Sequence, residues 1–411
     1  MSYQSAIDFL FPRTTQIKFG LDATRALLVA LGDPQDRFAA VHVAGTNGKG
    51  SVSALIAAAL QETGFRVGLY TSPHLISFRE RIRVDGVPIS EAAVAAWTSH
   101  LQPAIEASEA TFFEATTAMA FAHFAARDVD IAVVEVGLGG RLDSTNVITP
   151  LACIVTHIAL DHQKYLGDTV EEIAREKAGI AKPGVPFVIG EPDPDLAEVV
   201  RRAAEDVLRG RDARAALVPV MVPPGATWSK RLGLVGRHQR RNAAVAAVAL
   251  DELPVPFRPT NYVAAAAFAR VRMPGRFDQR GKWLFDVAHN PDSMRALTAA
   301  IAEVKPLRPI HALVSILGDK AWPEMLVELD HAIDAGWLTI APSADTRKWD
   351  LGWLERWLSD PARPAAVARW RLVPDFQQAL SEVQSGAGTV LVTGSFHTVG
   401  DVMQELGLEA A

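Results

Sequence analysis

The chain is poor in cysteine: Cys153 is the single one among 411 residues. One thiol forms no internal disulfide, so a reducing compartment is expected, and its place in the apolar run Leu151 to Val155 marks it as a small core residue. Long apolar runs are missing as well. No stretch of about 18 or more apolar residues offers a bilayer span, and Met1 to Arg13 lacks both a basic segment leading into an apolar stretch and a small-residue cleavage site. A cytoplasmic protein that avoids membranes is therefore expected. Nor is there a surplus of positive charge: 41 Lys and Arg face 47 Asp and Glu, a formal net charge of -6. This argues against nucleic acid as a partner, and any anionic ligand must meet a local basic site. Internal repeats, low-complexity tracts and a convincing Ser-His-Asp arrangement are absent too.

Apolar residues make up 49% of the chain and charged residues 21%, the balance of a globular protein with a large core. The length suggests two domains. Short β-rich runs alternate with helical patterns from Phe38 onward: Phe38 to Ala44, a helix from Ser51, Val129 to Gly137, Leu151 to His157, a helix from Thr169, and Phe187 to Gly190. That order predicts βαβ units and a mainly parallel sheet, an α/β fold. Thr169 with Glu172 forms a capping box, which puts Lys177 about two turns into its helix. Between Arg79 and Pro88, arginines alternate with other residues before Asp85-Gly86, which predicts a hairpin excursion from the sheet. Arg79, Arg81 and Arg83 would then share one strand face, either solvated or attracting an anion. After the broken stretch Pro219 to Gly236 come two helices, Arg240 to Leu253 and Tyr262 to Arg270. A new β-α series follows, at Trp283 to Ala288, His311 to Ile316, Trp337 to Ile340 and Thr389 to Val392. Domains of residues 1–272 and 273–411 are expected.

The strongest local signal is Gly45-Thr46-Asn47-Gly48-Lys49-Gly50-Ser51, between a strand and a helix. Glycines let backbone N–H groups crowd phosphate oxygens, the helix start adds partial positive charge, Lys49 reaches the terminal phosphates, and Ser51 can hold Mg2+. The general P-loop pattern places Gly where Val43 stands and Ser or Thr where Gly50 stands, so this loop is a variant.

The variant resembles the loop of the Mur ligase superfamily, in its dihydrofolate synthase/folylpolyglutamate synthase branch. Further segments resemble that branch in the same order. They are Thr71-Ser72-Pro73-His74-Leu75 with Glu80-Arg81-Ile82, Phe113 to Thr117, Glu135 to Asn146, Leu160-Asp161-His162, and Arg175 to Ile180. In the second half, Pro274 to Phe277, Asp286 to Pro291 and Gly394 to Val399 continue the likeness. The resemblance implies an N-terminal P-loop ATPase domain with a mainly parallel sheet and a smaller, Rossmann-like C-terminal domain.

By position, the resemblance implies that Ser51, Ser72, Glu135 and His162 serve a magnesium site. Lys177 stands where relatives often carry a carbamylated lysine suited to a second Mg2+. On residue type alone, Glu135 ends a buried strand where a bare carboxylate is costly, and His162 reads as a structural histidine. Asn242 corresponds to an adenine contact, and Arg276, Asp286 and His289 to nucleotide contacts, so that ATP is expected at the domain junction. Many relatives carry His after Asn-Pro; here it is Asp292. The pterin segments correspond to Lys18, Phe19, Gly20 and Leu21; to Thr111, Phe112, Phe113 and Glu114, read as a loop; and to Leu142, Asp143 and Ser144.

The activity so implied is ATP- and Mg2+-dependent ligation of L-glutamate to dihydropteroate and to tetrahydrofolate through an acyl phosphate, by a monomer. Lys49, Glu135, His162 and Lys177 are the expected catalytic groups. A monofunctional folylpolyglutamate synthase is an alternative. So is a cell-wall ligase acting on a UDP-linked sugar peptide, which the Glu135 to Asn146 block disfavours. A P-loop nucleotide sensor is a reading of another class, and it has no need of Glu135, His162 and Lys177 together.

Overall fold

The computed structural model describes residues 1–15, 18–360 and 369–409. They divide into two compact units. The first is Met1–Pro73, Phe78–Leu232 and Arg241–Val271; the second is His74–Ser77, Gly233–Arg240 and the described part of Arg272–Ala411.

The first unit is built on eight strands: β1 (Ala39–Ala44), β2 (Val67–Tyr70), β3 (Ile82–Val84), β4 (Val87–Pro88), β5 (Ile131–Glu135), β6 (Ala152–Val155), β7 (Pro186–Ile189) and β8 (Val218–Met221). Their order is β4-β3-β2-β5-β1-β6-β7-β8. From β2 to β8 neighbours pair in parallel, with Val43 beside Glu135 and Val41 beside Ala152. Every residue of β5 and β6 is buried, as befits a parallel sheet covered on both faces. One apolar cluster joins Tyr70, Ala132 and Val134 to the helices Tyr3–Leu10, Glu91–Ser108 and Phe112–Ala126. Another packs the helices Val170–Ala178 and Pro194–Arg211 on Val155, Phe187 and Ile189. Cys153 lies in this second cluster, its thiol directed at Ile180 O at 3.2 Å.

Two local expectations need correction. The 79–88 segment does not leave the sheet: β3 pairs antiparallel with β2, and after the turn at Asp85 (φ 51°) and Gly86 (φ 78°) β4 pairs with β3 to form the edge. Arg79 and Arg81 belong to the helical turn Phe78–Arg81 ahead of the strand, and Arg81 is buried, so the three arginines share no strand face. Thr111 to Glu114 is not a loop either. Thr111 caps the helix Phe112–Ala126, and Glu114 accepts from the Thr111 N–H and hydroxyl, both at 2.7 Å. The box at Thr169 forms as expected and leaves Lys177 two turns into the helix.

The second unit carries β9 (Asp278–Arg280), β10 (Trp283–Phe285), β11 (Ile310–Val314), β12 (Ala335–Leu338), β13 (Arg369–Leu372) and β14 (Thr389–Thr393), in the order β13-β12-β11-β14-β10-β9. Only β9 runs antiparallel to its neighbour. No helix of the described residues is long and apolar enough to cross a membrane.

Candidate active site

The strands β2, β5, β1 and β6 are neighbours and parallel, so their carboxyl ends emerge along one edge of the sheet. Open parallel sheets bind ligands outside such ends. Ser72 follows β2, Glu135 ends β5, the glycine-rich loop follows β1, and Asp161 and His162 follow β6. Topology therefore gathers the expected phosphate and magnesium groups of this unit.

The loop turns on Gly45 (φ 146°) and Gly48 (φ 90°). A Cβ on Gly45 would lie 1.9 Å from Thr156 Oγ1, and one on Gly48 2.6 Å from Asn242 Oδ1. Larger residues are excluded at both positions, and the second contact brings Asn242 to the loop. The Thr46 N–H donates to His157 O at 2.6 Å, and the Thr156 hydroxyl to Asn47 O at 2.7 Å. Lys49 Nζ donates to Thr46 O at 3.1 Å. Gly50 and the buried Ser51 sit in the first turn of the helix Lys49–Glu62, where backbone N–H groups without intrahelical acceptors favour an anion.

Beside the loop, Lys177 is 4% exposed and donates Nζ to Gly45 O at 2.9 Å. Burial first, then the Lys49 cation, pulls its pKa down to about 7, against Asp161, Asp143 and Glu176. Glu135, also 4% exposed, accepts the Ser72 N–H at 3.3 Å. Burial lowers the pKa of Arg81, while Tyr70, Glu80 and Glu135 favour its charge; its guanidinium lies 5.1 Å from the centre of the Phe112 ring. His162 has a positive φ (54°), and its Nε2 is 4.0 Å from Asp161 Oδ1. Among the described residues no three His, Cys, Asp or Glu side chains group to hold a metal. Within the expected magnesium set, Glu135 and His162 belong to that class; Ser51, Ser72 and Lys177 do not.

The expected substrate segments are linked through their neighbours, Lys18 to Glu109 just before Thr111, and Phe113 to Gly137 beside the Leu138–Asp143 hydrogen bond. Leu142, Asp143 and Ser144 occupy the loop after β5, with Asp143 and Ser144 buried and Asp143 in electrostatic reach of Tyr70 and Lys177. The Phe113 ring covers Gly137, where a Cβ would approach it to 2.3 Å. Thr111 and Glu114 are engaged with one another in the cap. Lys18 Nζ donates to Glu109 O at 2.7 Å, and the exposed Phe19 ring lies 6.3 Å from that of Tyr165, three residues beyond His162. Gly20 and Leu21 lead into the helix Asp22–Ala30.

In the second unit β11, β14 and β10 are parallel neighbours. Asp286 and His289 follow β10, and Phe396 follows β14. The Arg276 guanidinium lies 5.1 Å from the Phe396 ring centre and the His289 ring 5.8 Å from it. Asp286 accepts the N–H groups of Phe277 (2.9 Å) and Ala288 (3.0 Å), and burial raises its pKa to about 6 against the pull of Arg276. Asp292 pairs with Arg295 at 3.6 Å. Sequence reasoning assigned no role to Tyr70 or Phe396, and read Arg81 only as one of three arginines on a shared strand face. The Glu80-Arg81-Ile82 motif held the signal for Arg81, obscured by the alternation around it.

The family model of the Mur ligase middle domain matches residues 43–250, and that of the Mur ligase glutamate ligase domain matches 272–396. The dihydrofolate synthase/folylpolyglutamate synthase of Bacillus subtilis is 34% identical, with 98% of this chain and 99% of its own covered. The Escherichia coli protein of that name is 32% identical, with 98% and 94% covered. Among solved structures, E. coli FolC in complex with DHPP and ADP matches with a TM-score of 0.85 at 29% identity, covering 99% of this chain and 98% of its own. Mycobacterium tuberculosis folylpolyglutamate synthase complexed with ADP and AMPPCP matches with a TM-score of 0.86 at 29% identity, with 100% of both chains covered. Loop, sheet and end-to-end likeness agree: this chain belongs to the Mur ligase family, in its dihydrofolate synthase/folylpolyglutamate synthase branch, and is an ATP-dependent ligase.

Proposed function

We propose that this ligase joins the amine of L-glutamate to the carboxyl group of dihydropteroate, forming dihydrofolate, and adds glutamate to tetrahydrofolate. The supporting observation is the gathering of Lys49, Lys177, Glu135 and Asp143 around the carboxyl ends of neighbouring strands, in a chain covered end to end by bifunctional relatives.

The substrate carboxylate attacks the γ-phosphorus of ATP and ADP leaves. The neutral amine of glutamate then attacks the acyl phosphate, and phosphate departs from the tetrahedral intermediate as the amide closes. No covalent bond to the protein is needed. Such chemistry asks for positioning and charge neutralisation. The backbone of Gly45 to Ser51 cradles the phosphates, Lys49 neutralises them, and Asn242 meets the adenine. Arg276, Asp286 and His289 are the residues of 273–411 that we assign to nucleotide contact; we take 273–411 as the C-terminal domain and 1–272 as the N-terminal one. Leu142, Asp143 and Ser144, with Phe112 and Phe113, face the pterin acid, and Lys18 to Leu21 flank it.

Ser51, Ser72 and Glu135, together with His162, would hold Mg2+. The fit rests on the donor chemistry, since a buried carboxylate at a strand end calls for a cation and hard oxygens suit Mg2+. When bound, Mg2+ supplies neutralisation of triphosphate charge. Lys177, with about half its amine neutral near its pKa of about 7, adds through Nζ to CO2, forming an N–C bond and releasing a proton to solvent. The carbamate would serve a second Mg2+, and carbon NMR with isotopically labelled CO2 reads it directly.

Glutamate-dependent ADP release, assayed side by side with dihydropteroate and with tetrahydrofolate, tests the proposal. Release with both is expected. Release with tetrahydrofolate alone means a monofunctional enzyme, and release with neither means a different acceptor acid.

A further inference from the structure

The strand that leads into the phosphate loop carries a buried side chain that the proposed reaction does not use. His42 sits in β1, three residues before Gly45, and is wholly buried. An imidazole among valines and alanines is costly unless it is hydrogen-bonded. Its Nε2 lies 2.8 Å from Thr145 Oγ1. Thr145 is wholly buried too, and its hydroxyl meets Asp143 Oδ1. The same oxygen accepts the Thr145 N–H at 3.0 Å, and Asp143 Oδ2 accepts the Leu138 N–H at 2.8 Å.

The polarity of this chain follows from proton counting. Burial raises the Asp143 pKa, opposed by the Thr145 hydroxyl and the backbone N–H groups of Leu138 and Thr145; with a backbone N–H already on each carboxyl oxygen, the single proton of the Thr145 hydroxyl points at Asp143 Oδ1. The hydroxyl oxygen then accepts from His42, which must carry its proton on Nε2. That leaves Nδ1 as a bare acceptor, and Nδ1 is indeed a buried atom without a hydrogen-bond partner. Burial, helped by Lys182, holds the ring neutral, with a pKa lowered to about 3.

We propose that His42 and Thr145 are positioning residues for the loop after β5. The donor chain from His42 through Thr145 fixes the Asp143 carboxylate and so sets affinity for the pterin acid, without either residue touching it. One strand then anchors both the phosphate loop at its end and the substrate loop at its side. The inference rests on the reading that Asp143 faces that substrate.

Steady-state kinetics of five variants test it, with thermal melting of each as a control. Thr145→Val keeps the shape and loses the hydroxyl; His42→Leu loses the donor. Each is expected to raise KM for dihydropteroate about tenfold, the size of one hydrogen bond to a charged group, with KM for ATP changed less than about twofold. Thr145→Ser and His42→Gln, which keep a donor within reach, should return KM to within about threefold of the parent. A parental KM in Thr145→Val, no rescue by Ser or Gln, or equal rises in both KM values with a lowered Tm would each overturn the proposal. Asp143→Asn separates the premise from the relay. An unchanged dihydropteroate KM there removes the premise, whereas a raised one beside a parental Thr145→Val defeats the relay alone. Nitrogen NMR of the parent protein needs no variant: a neutral His42 ring protonated at Nε2 between about pH 5 and 9 is expected, and a ring that titrates there or carries its proton on Nδ1 contradicts the proposal.

Discussion

Lys177 carries its amine into the interior, and its burial makes stability depend on pH. In the unfolded chain the amine stays protonated up to its ordinary value of 10.5; in the folded protein it loses its proton near 7. Between those values the unfolded state binds more protons, so stability rises with pH across that window. Lys177→Met lacks the slope. In CO2-free buffer it should resist urea better than the parent at about pH 6, with the gap closing toward about pH 9, and parallel profiles would contradict this. Lys49→Ala and Glu135→Ala each remove charge placed around the triphosphate. Turnover should fall by about a hundredfold or more while the fold survives, read as ADP release with circular dichroism as the control. Lys49 and Glu135 were readable because a glycine loop and a carboxylate at a strand end are both costly without a ligand. The burial of Arg81 and His42 was not, since residue type says nothing of which buried partner a side chain will find.

At the scale of elements, glycine geometry and helix caps carry the argument. Gly48 starts the helix Lys49–Glu62 from a left-handed conformation and faces Asn242. Gly48→Ala therefore strains the backbone and pushes Asn242 away, and KM for ATP should rise about tenfold or more, at the cost of roughly 1–2 kcal/mol for a non-glycine residue in that region. A parental KM would show that the loop tolerates a side chain. Thr169→Ala removes the cap of the helix that bears Lys177 and should cost about 1 kcal/mol in urea unfolding. Strong local chemistry announced this helix start and the Asp85-Gly86 turn in advance. Thr111 with Glu114 spells the same box, yet the aromatic pair Phe112-Phe113 disguised it as a loop. The short β9 and the alternately exposed β13 left no apolar run to read, and Pro219 hid the edge strand β8, where a missing N–H is tolerated.

For the whole molecule, alternating β and α segments were enough to predict parallel sheets, because helical crossovers force that pairing. Strand order was beyond such reasoning: that β5 lies between β2 and β1 depends on packing across the entire sheet. Yet this order is what sets Ser72, Glu135 and the glycine loop side by side. The central claim is that the substrate carboxylate takes the γ-phosphoryl group of ATP at that edge before glutamate attacks. Dihydropteroate labelled with heavy oxygen in its carboxyl group tests it most directly. One labelled oxygen should appear in the phosphate released with each turnover, since the acyl phosphate breaks at its carbonyl carbon. Phosphate free of label, with the departing carboxyl oxygen recovered in water instead, would contradict the account.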